Sequence, residues 1–358
     1  MTSDDIAQLR LYNQKIVGTT FNTPEEVVSY MGGMQAQDYL GSLWAIALRT
    51  KNCTEKDVED AISERKIVRT WPMRRTLHFV PAADVHWMMK LTSERIIKTY
   101  GAHMPQLGLN EEILAHARNV VTKALTGGKI VTRPALTEAL EKAGIDTKEG
   151  RGLHLIWRLG QESLICFGPR EGKQQTFVLL DEWLPKKKNL SREEAVGELT
   201  LRYFTSHGPA TIHDFSWWAG LTIKDIKSGI ASVTSKLHEE TIDGKNYFMG
   251  KSVPSIDTKE SVHLLPPFDE YIVSYKDRTA VLKTEHNNFV NSGGNGMFAP
   301  VIVINGKVVG SWKREMKKDA VHLMSHPFEK FTNDDKRIIA EAAERYGTFL
   351  GLPVKLAV

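Results

Sequence analysis

Residues 191–249 read SREEAVGELTLRYFTSHGPATIHDFSWWAGLTIKDIKSGIASVTSKLHEETIDGKNYFM, and they are the clearest guide to the architecture of the chain. The segment predicts helices over EAVGELTLRYF, IHDFSWWAG and IKDIKSGIASVTSKL, followed by the hairpin LHEETIDGKNYFM. Asp243–Gly244 is a two-residue turn of the kind that joins antiparallel strands. Helices followed by a β-hairpin in this order are typical of a winged-helix unit, a relative of the helix-turn-helix.

The same succession of helices and a strand pair occurs twice before this segment. The first unit runs to about residue 100, with the helical VEDAISERKIV before the β-rich RTLHFV. The second, from about 110 to 185, has the helices ALTEALEKAG and LHLIWRLGQES before the hairpin LICFGPREGKQQTFVLL. Hydroxyl side chains that can cap free backbone N–H groups mark the helix starts. They are Thr23, Thr54, Thr132, Ser191 and Thr211.

From about residue 260 the sequence is richer in strands. FAPVIVINGKVVGSW predicts a hairpin that turns at Asn305–Gly306, and NDDKRIIAEAAERYGTFLG predicts a final helix that ends at Gly351. The predicted fold class is α+β, with three tandem winged-helix units followed by a C-terminal β-domain, a partly closed barrel with a terminal helix. The predicted boundaries are 1–105, 106–188, 189–258 and 259–358, with a linker at Lys186–Asn189.

Composition limits the class of protein without choosing a function. A chain of 358 residues exceeds the usual size of one hydrophobic core, so two or more domains are expected. The 47 basic and 43 acidic side chains give a net charge of +4, which permits a polyanionic partner but does not require one. Cys53 and Cys166 are too far apart for a zinc site of the usual spacing. We expect a cytoplasmic monomer without membrane contact, because the sequence lacks a long apolar run, a signal peptide and a coiled-coil seam.

A Gln-Ala-Gln triplet, Gln35 to Gln37, lies in MGGMQAQDYLGSLWAIALR. Side chains two residues apart share a face on an extended or turn segment but not on a helix, and Gly32 and Gly33 indicate a helix end just before them. Both amides could then project into one cleft. An uncharged amide can orient a water molecule or bond a sugar or base, but it is not a strong base. The residue types alone favour the alternative, two surface glutamines.

Three further stretches favour a functional role of the two glutamines over two surface side chains. WPMRRTLHFV (71–80), HLLPPFDEYIVSYKDR (263–278) and NGMFAPVIVINGKVVGSWKRE (295–315) follow the triplet in that order. With them the chain resembles the AlkZ-type winged-helix DNA glycosylases over most of its length. Its Gln-x-Gln is similar to that of the AlkZ-like branch, whereas the YcaQ-like branch has Gln-x-Asp. The resemblance implies that Gln35 and Gln37 are catalytic. Arg75 and Ser274 depart from the small residue and the Gly that the family often has at these positions.

The resemblance also implies a reaction. The expected enzyme is a DNA glycosylase that hydrolyses the N-glycosidic bond of cationic alkylpurines, of the N7-alkylguanine type, in duplex DNA, and that extends to interstrand crosslinks, which the family can unhook. Such a purine carries a positive charge, so its glycosidic bond is already weak. Two amides then need only position a water molecule and stabilise an oxocarbenium-like sugar. No lysine lies in a segment connected with the site, so we expect a monofunctional enzyme without a cofactor rather than a Schiff-base enzyme.

Several basic residues are candidates for DNA contact. In the 71–80 stretch and just before it these are Arg69, Arg74, Arg75 and His78, which fit phosphate contact near a wing. The alternative is a surface strand in which His78 only bonds a backbone carbonyl. Lys313 and Arg314 follow the Asn305–Gly306 hairpin, which either enters a DNA groove or is an ordinary hairpin of the β-domain.

Other residues are expected to line the cleft, and they are Asp38, Trp71, Asp269, Tyr271, Tyr275 and Arg278. The alternative makes the tyrosines and the Asp277–Arg278 pair structural, tying the β-domain to the helical units. His322 and His326 are four residues apart on a possible helix, but no third ligand is evident, so no metal is expected. Trp217 and Trp218 are expected in the core.

Two other classes of function are open. A non-catalytic winged-helix transcriptional regulator would prefer a DNA sequence and would not depend on Gln35 or Gln37. A protein-interaction scaffold would have no affinity for DNA at low salt. The enzyme, in contrast, would bind DNA without sequence preference, through phosphate contacts that weaken steeply with salt.

Overall fold

The computed structural model describes residues 1–252 and 261–358. Contacts between Cα atoms divide the chain into a larger unit, residues 1–58 with 196–358, and a smaller unit, residues 59–195. The predicted boundary between the third winged-helix unit and the β-domain, at residues 258–259, lies outside the described residues. The division into four domains therefore stays a prediction.

Helices occur throughout both units. The described α-helices are α1 (Ser3–Asn13), α2 (Pro24–Met31), α3 (Tyr39–Ala47), α4 (Glu55–Ser63), α5 (Val85–Tyr100), α6 (Glu111–Leu125), α7 (Arg133–Lys142), α8 (Arg151–Gln161), α9 (Leu180–Trp183), α10 (Arg192–His207), α11 (Ile212–Ala219), α12 (Ile223–Val233), α13 (Glu270–Val273), α14 (Asn287–Val290) and α15 (Asn333–Leu350). The five hydroxyl residues predicted to mark helix starts precede α2, α4, α7, α10 and α11, so these predictions are confirmed. Thr23 and Thr211 each form a reciprocal capping box with an acidic residue in the first turn. The last helix, α15, ends at Gly351 as predicted.

The described strands are between two and ten residues long. They are β1 (Met34–Gln35), β2 (Ile67–Met73), β3 (Thr76–Pro81), β4 (Val131–Thr132), β5 (Ile165–Phe167), β6 (Thr176–Leu179), β7 (Leu237–Ile242), β8 (Lys245–Gly250), β9 (Val262–Leu265), β10 (Val301–Ile304), β11 (Lys307–Met316), β12 (Val321–Pro327) and β13 (Val354–Ala357). The predicted hairpins are confirmed as β7–β8, which turns at Asp243–Gly244, and β10–β11, which turns at Asn305–Gly306. All four turn residues have positive φ, as this two-residue turn requires.

The helices α10, α11 and α12 precede the β7–β8 hairpin in the larger unit, in the order that the sequence predicts. Their core contains buried aromatic rings that stack on Tyr203, among them those of His207 and Phe215. Trp218 is also buried there, but Trp217 is 41% exposed. The Trp217 indole lies at the surface, where its Nε1 donates to a backbone carbonyl at 2.8 Å. The prediction that both tryptophans are core residues is therefore wrong for Trp217.

Five strands of the larger unit form one sheet in the order β13-β12-β11-β10-β9. β12 and β13 are parallel, and the other neighbours are antiparallel. The helix α15 packs against β9 and β13. The prediction of a partly closed barrel is wrong for the part of the chain that the structure describes, because β9 and β13 do not pair and are the two edges of an open sheet.

The smaller unit contains the β2–β3 hairpin and a second sheet in the order β4-β6-β5. The helices α5 and α8 pack against β2. The Trp71 ring lies so close to Gly160 of α8 that a Cβ added to Gly160 would be 2.4 Å from it. Only glycine fits at this helix position. In neither described range does a helix reach the length and apolar character needed to cross a membrane.

Candidate active site

The Gln-Ala-Gln triplet lies between two helices of the larger unit. The helix α2 ends at Gly32, whose φ of +75° favours glycine, and α3 begins at Tyr39. Between them Met34–Gln35 is extended as β1. Gln35 is 7% exposed, whereas Gln37 is exposed to solvent. The predicted helix end is confirmed, extended backbone follows it at Met34–Gln35, and the two glutamines differ in burial.

The carboxylate of Glu270, the first residue of α13, holds the backbone of this triplet. The backbone N–H of Gln35 donates to Oε1 of Glu270 at 2.5 Å. Nε1 of Trp218 donates to Oε2 at 2.8 Å, and the hydroxyl of Ser274 donates to the same oxygen. Nε2 of His207 lies 3.5 Å from Oε2. Burial lowers the pKa of His207, against the opposing effect of Glu270, so the imidazole is neutral near pH 7.

Glu270 lies in the 263–278 stretch but was not among the predicted site residues. A glutamate is normally exposed, whereas Glu270 is only 1% exposed. Ser274 is one of the residues that donate a hydrogen bond to this carboxylate.

Asp38 holds the chain just after the triplet. It is the N-cap of α3, and its Oδ1 accepts a hydrogen bond from the Gly41 N–H at 2.6 Å. Nη2 of Arg314 lies 3.3 Å from the same oxygen, and Nη1 of Arg314 donates to the Tyr346 hydroxyl at 2.8 Å. Arg314 was predicted to contact DNA. In the structure it is engaged with the segment that carries the two glutamines.

Three residues predicted to line the cleft are buried in the larger unit, namely Asp269, Tyr271 and Tyr275. Asp269 forms two hydrogen bonds with Arg49, at 2.8 and 2.9 Å, and both side chains are fully buried. The Tyr275 hydroxyl donates to the carbonyl of His207 at 2.7 Å. Burial raises the pKa of both tyrosines well above the ordinary value. These side chains tie elements of the unit together, as the structural alternative describes, and do not face a cleft.

Arg278 lines a cavity of about 960 Å³ in the larger unit. Its guanidinium lies 5.6 Å from the Trp217 ring centroid and 4.6 Å from that of Phe298, and its Nε donates to the Ile272 carbonyl at 2.7 Å. The other cationic side chains around this cavity are Lys227, Lys245 and Lys276. Arg278 is therefore placed at a concave and mainly basic surface.

In the smaller unit the predicted residues Arg69, Trp71 and His78 are buried. The Arg69 guanidinium lies 4.9 Å from the Phe167 ring centroid, and the Trp71 ring also packs against Phe167. Nδ1 of His78 lies 3.0 Å from the carbonyl oxygen of Thr76. This placement contradicts the predicted phosphate contacts of Arg69 and His78 and the predicted cleft position of Trp71, because strand packing withdraws all three from solvent.

Arg74 and Arg75 form the turn between β2 and β3, with φ of +53° and +67°. Arg75 is exposed, and its guanidinium lies 5.0 Å from the Tyr100 ring centroid and 5.4 Å from that of Trp157. Of the basic residues in this stretch, Arg75 has the exposure that phosphate contact needs.

The two hairpins of the five-stranded sheet differ at their tips. The Asn305–Gly306 turn is docked on α1, because Gln8 Nε2 donates to the Asn305 carbonyl at 2.7 Å. The Tyr271 hydroxyl donates to the Gly306 carbonyl at 2.8 Å. Of the two alternatives for this hairpin, these contacts favour the ordinary hairpin of the β-domain over entry into a DNA groove. The β11–β12 hairpin instead carries exposed lysines, which are Lys313, Lys317 and Lys318.

His322 and His326 lie on the strand β12 and not on a helix. Four residues of strand span about 13 Å, so the two side chains cannot share an ion. Within the described ranges, Glu285, His286 and Glu329 do have possible ligand atoms within 4.8 Å of one another. Nζ of Lys283 lies 2.8 Å from Glu329, so surface ion pairing accounts for this group.

Comparison with known proteins agrees with the resemblance that the sequence shows. The family model described as DNA glycosylase AlkZ-like matches residues 28–349. A relative from Streptomyces sahachiroi, the interstrand DNA cross-link repair glycosylase, is 25% identical over 323 residues, which covers 85% of each chain. The solved structure of Streptomyces sahachiroi DNA glycosylase AlkZ has the same fold, with a TM-score of 0.80 and 22% identity over the whole of both chains. Because the family model matches most of its length, this chain belongs to the AlkZ-like family of DNA glycosylases.

Proposed function

We propose that this enzyme is a monofunctional glycosylase that hydrolyses the N-glycosidic bond of cationic alkylpurines, such as N7-alkylguanine, in duplex DNA. The observation that carries this proposal is the Gln-Ala-Gln segment between α2 and α3, which Glu270 holds at Gln35 while Gln37 is exposed. The name of the Streptomyces relative supports interstrand crosslinks as further substrates.

The chemistry requires little of the protein. In an N7-alkylated guanine the electron pair of the C1′–N9 bond passes to the purine and neutralises its positive charge. A water molecule adds to C1′ and loses its proton to solvent. The amides of Gln35 and Gln37 bond that water and the sugar, and their fixed dipoles stabilise the positive charge that develops on the sugar ring. No covalent enzyme–DNA intermediate forms in this route.

We further propose that the enzyme acts as a cytoplasmic monomer that binds duplex DNA through its backbone. Helices α10 to α12 with the β7–β8 hairpin have the order of a winged-helix unit, which supports the tandem winged-helix architecture. Exposed cations suited to phosphate contact are Arg75 in the smaller unit and Lys313, Lys317 and Lys318 in the larger one. Such contacts give binding that depends on salt and not on sequence.

A single-turnover excision assay tests the proposal. The substrate is a duplex with one N7-methylguanine, and a second duplex carries an interstrand crosslink. We expect Gln37→Ala and Gln35→Ala each to slow base release by about 10²–10³-fold, since each removes a preorganised dipole. Gln8→Ala is the matched control, because Gln8 bonds only the docked hairpin turn, and it should release base at the wild-type rate.

The outcomes separate the candidate functions. Borohydride trapping of an enzyme–DNA adduct would contradict the water-using route. A wild-type protein that releases no base from either duplex, but binds one DNA sequence selectively, would be the transcriptional regulator instead.

A further inference from the structure

The carboxylate of Glu270 is a buried polar group that binds the backbone of the proposed catalytic triplet. Oε1 accepts the backbone N–H of Gln35 at 2.5 Å, and Oε2 accepts Nε1 of Trp218 at 2.8 Å and the hydroxyl of Ser274. With donors on both oxygens, the ionised carboxylate is the form that fits, because it is purely an acceptor. Hydrogen bonds to an ionised acceptor are about twice as strong as those between neutral groups.

The backbone next to Glu270 is itself held by hydrogen bonds. The preceding residue, Asp269, caps α13 by accepting the Tyr271 N–H at 2.9 Å. The Asp269 carboxylate is also held by Arg49 through two hydrogen bonds of 2.8 and 2.9 Å. Arg49 follows α3, the helix that begins directly after the triplet. The residue before Glu270 is therefore tied to the chain that continues from the triplet through α3.

The anchor acts directly on the backbone of the triplet. Gln35 lies between the end of α2 at Gly32 and the start of α3 at Tyr39, and its own N–H is the group that Glu270 binds. The direction of the Gln35 and Gln37 side chains follows from the backbone at this point. A displacement of about 1 Å in positioned groups can reduce a rate by about 10²-fold.

We propose that Glu270 is a positioning residue for catalysis, whose buried carboxylate sets the backbone of Gln35 and thereby the direction of both amides. Glu270 does not touch DNA in this role, and it acts only through the triplet. The proposal rests on the proposed function of the two glutamines.

Glu270→Gln is the first test, on the N7-methylguanine duplex. The amide keeps the size of the side chain but places an NH₂ group against either Gln35 N–H or Trp218 Nε1, both of which are donors. We expect the single-turnover rate at saturating enzyme to fall by about 10²-fold, while the Kd for DNA stays within about threefold of wild type. Glu329→Gln is the matched control, because Glu329 is an exposed carboxylate that pairs with Lys283. It should change neither quantity.

A folded Glu270→Gln protein with a rate within about threefold of wild type overturns the proposal. A purely structural role would lower the melting temperature and leave the rate of the folded enzyme unchanged. If Glu270→Gln does not fold, Trp218→Phe replaces it, since it removes one donor on Oε2 and keeps an aromatic ring in the core. We then expect a fall of about tenfold, and an unchanged rate overturns the proposal.

Hydrogen exchange at the Gln35 amide provides a readout that does not need activity. In the wild type this amide should exchange slowly, and it should exchange faster in Trp218→Phe. A Gln35 amide that exchanges as fast as an exposed one in the wild type overturns the anchor. If the wild type releases no base from either duplex, the proposed function fails, whereas slow exchange at Gln35 in the wild type with faster exchange in Trp218→Phe still supports Glu270 as the anchor of the segment.

Discussion

Replacing Asp269 with asparagine separates a structural carboxylate from a catalytic one. The side chains of Asp269 and Arg49 are both fully buried, and two hydrogen bonds of 2.8 and 2.9 Å join them. Nη2 of Arg49 also donates to Oε1 of Gln14 at 2.9 Å. Asparagine presents one oxygen to the guanidinium and turns a donor NH₂ group toward the other N–H, so Asp269→Asn leaves a buried cation without its counter-charge.

The expected cost is large. Removing one partner of a buried ion pair typically costs about 3–5 kcal/mol, because the remaining charge stays desolvated. In a unit of this size 1 kcal/mol corresponds to about 2–4 °C in melting temperature, so Asp269→Asn should melt roughly 6–20 °C lower. Asp277→Asn is the matched control. Asp277 is partly exposed. Partial burial raises the pKa of its carboxyl, but hydrogen bonds from Lys245 and Thr279 outweigh that effect and hold the pKa at about 2. Losing this surface pair should cost about 0–1 kcal/mol.

Thermal melting and the excision assay together distinguish a structural from a catalytic role of Asp269. Both variants are compared with the wild type at a temperature well below their transitions. Folded Asp269→Asn should excise N7-methylguanine at a rate within about tenfold of wild type, because the carboxylate has no solvent-facing surface. A melting temperature within about 2 °C of wild type, combined with a loss of excision of about 10³-fold, would refute the reasoning and return Asp269 to the catalytic cleft.

Two further predictions concern stability and DNA binding. Burial lowers the pKa of His263 to about 3, and the positive charges of Arg345 and Arg49 lower it further. The unfolded chain binds a proton at this histidine below about pH 6.5, whereas the folded protein does not, so the free energy of unfolding falls as the pH drops below about 6.5. His263→Leu should therefore gain about 2 kcal/mol over the wild type between pH 7 and pH 5 in urea unfolding, and an identical pH dependence of both proteins would contradict this. The β10–β11 and β11–β12 hairpins should respond differently to substitution. On the β11–β12 hairpin, Lys313→Gln combined with Lys318→Gln should make the plot of log K for DNA against log salt less steep by about 2, at an unchanged melting temperature. Gly306→Ala, in the β10–β11 hairpin, should leave that slope unchanged but destabilise the protein by about 1 kcal/mol or more, since Gly306 has a φ of +82° and the new Cβ would lie 3.0 Å from that of Ala7. A less steep salt dependence at unchanged stability would instead show that the Asn305–Gly306 turn contacts DNA.

Local signals in the sequence predicted local structure. Capping residues such as Thr23 and Thr211 mark helix starts because a side chain satisfies N–H groups within its own first turn. The turns at Asp243–Gly244 and Asn305–Gly306 are equally self-contained. The open sheet was not predictable in this way. Its edges are set by which distant strands pair, including the parallel β12–β13 pair, and no short motif encodes that choice.

The errors at the site have one physical origin. Arg69, His78 and Asp269 are polar, and polar residues are mostly exposed, so their types predict a surface that contacts DNA. Arg69 and Asp269 are buried because a partner distant in sequence stacks on or satisfies each of them, Phe167 for Arg69 and Arg49 for Asp269. A single sequence does not reveal such pairs.

The same origin explains why Gln35 and Gln37 could be proposed as site residues from the sequence and Glu270 could not. The glutamines form a short motif, so the resemblance to a family points to them directly. Glu270 acts on Gln35 across 235 positions of sequence, and only the folded chain brings its carboxylate to the Gln35 N–H. A catalytic motif made of uncharged amides depends more than most on such support, because amides contribute direction rather than reactivity. In this enzyme the residues that supply direction are therefore best sought in the buried polar contacts behind the motif, and Glu270 is the first of them to test.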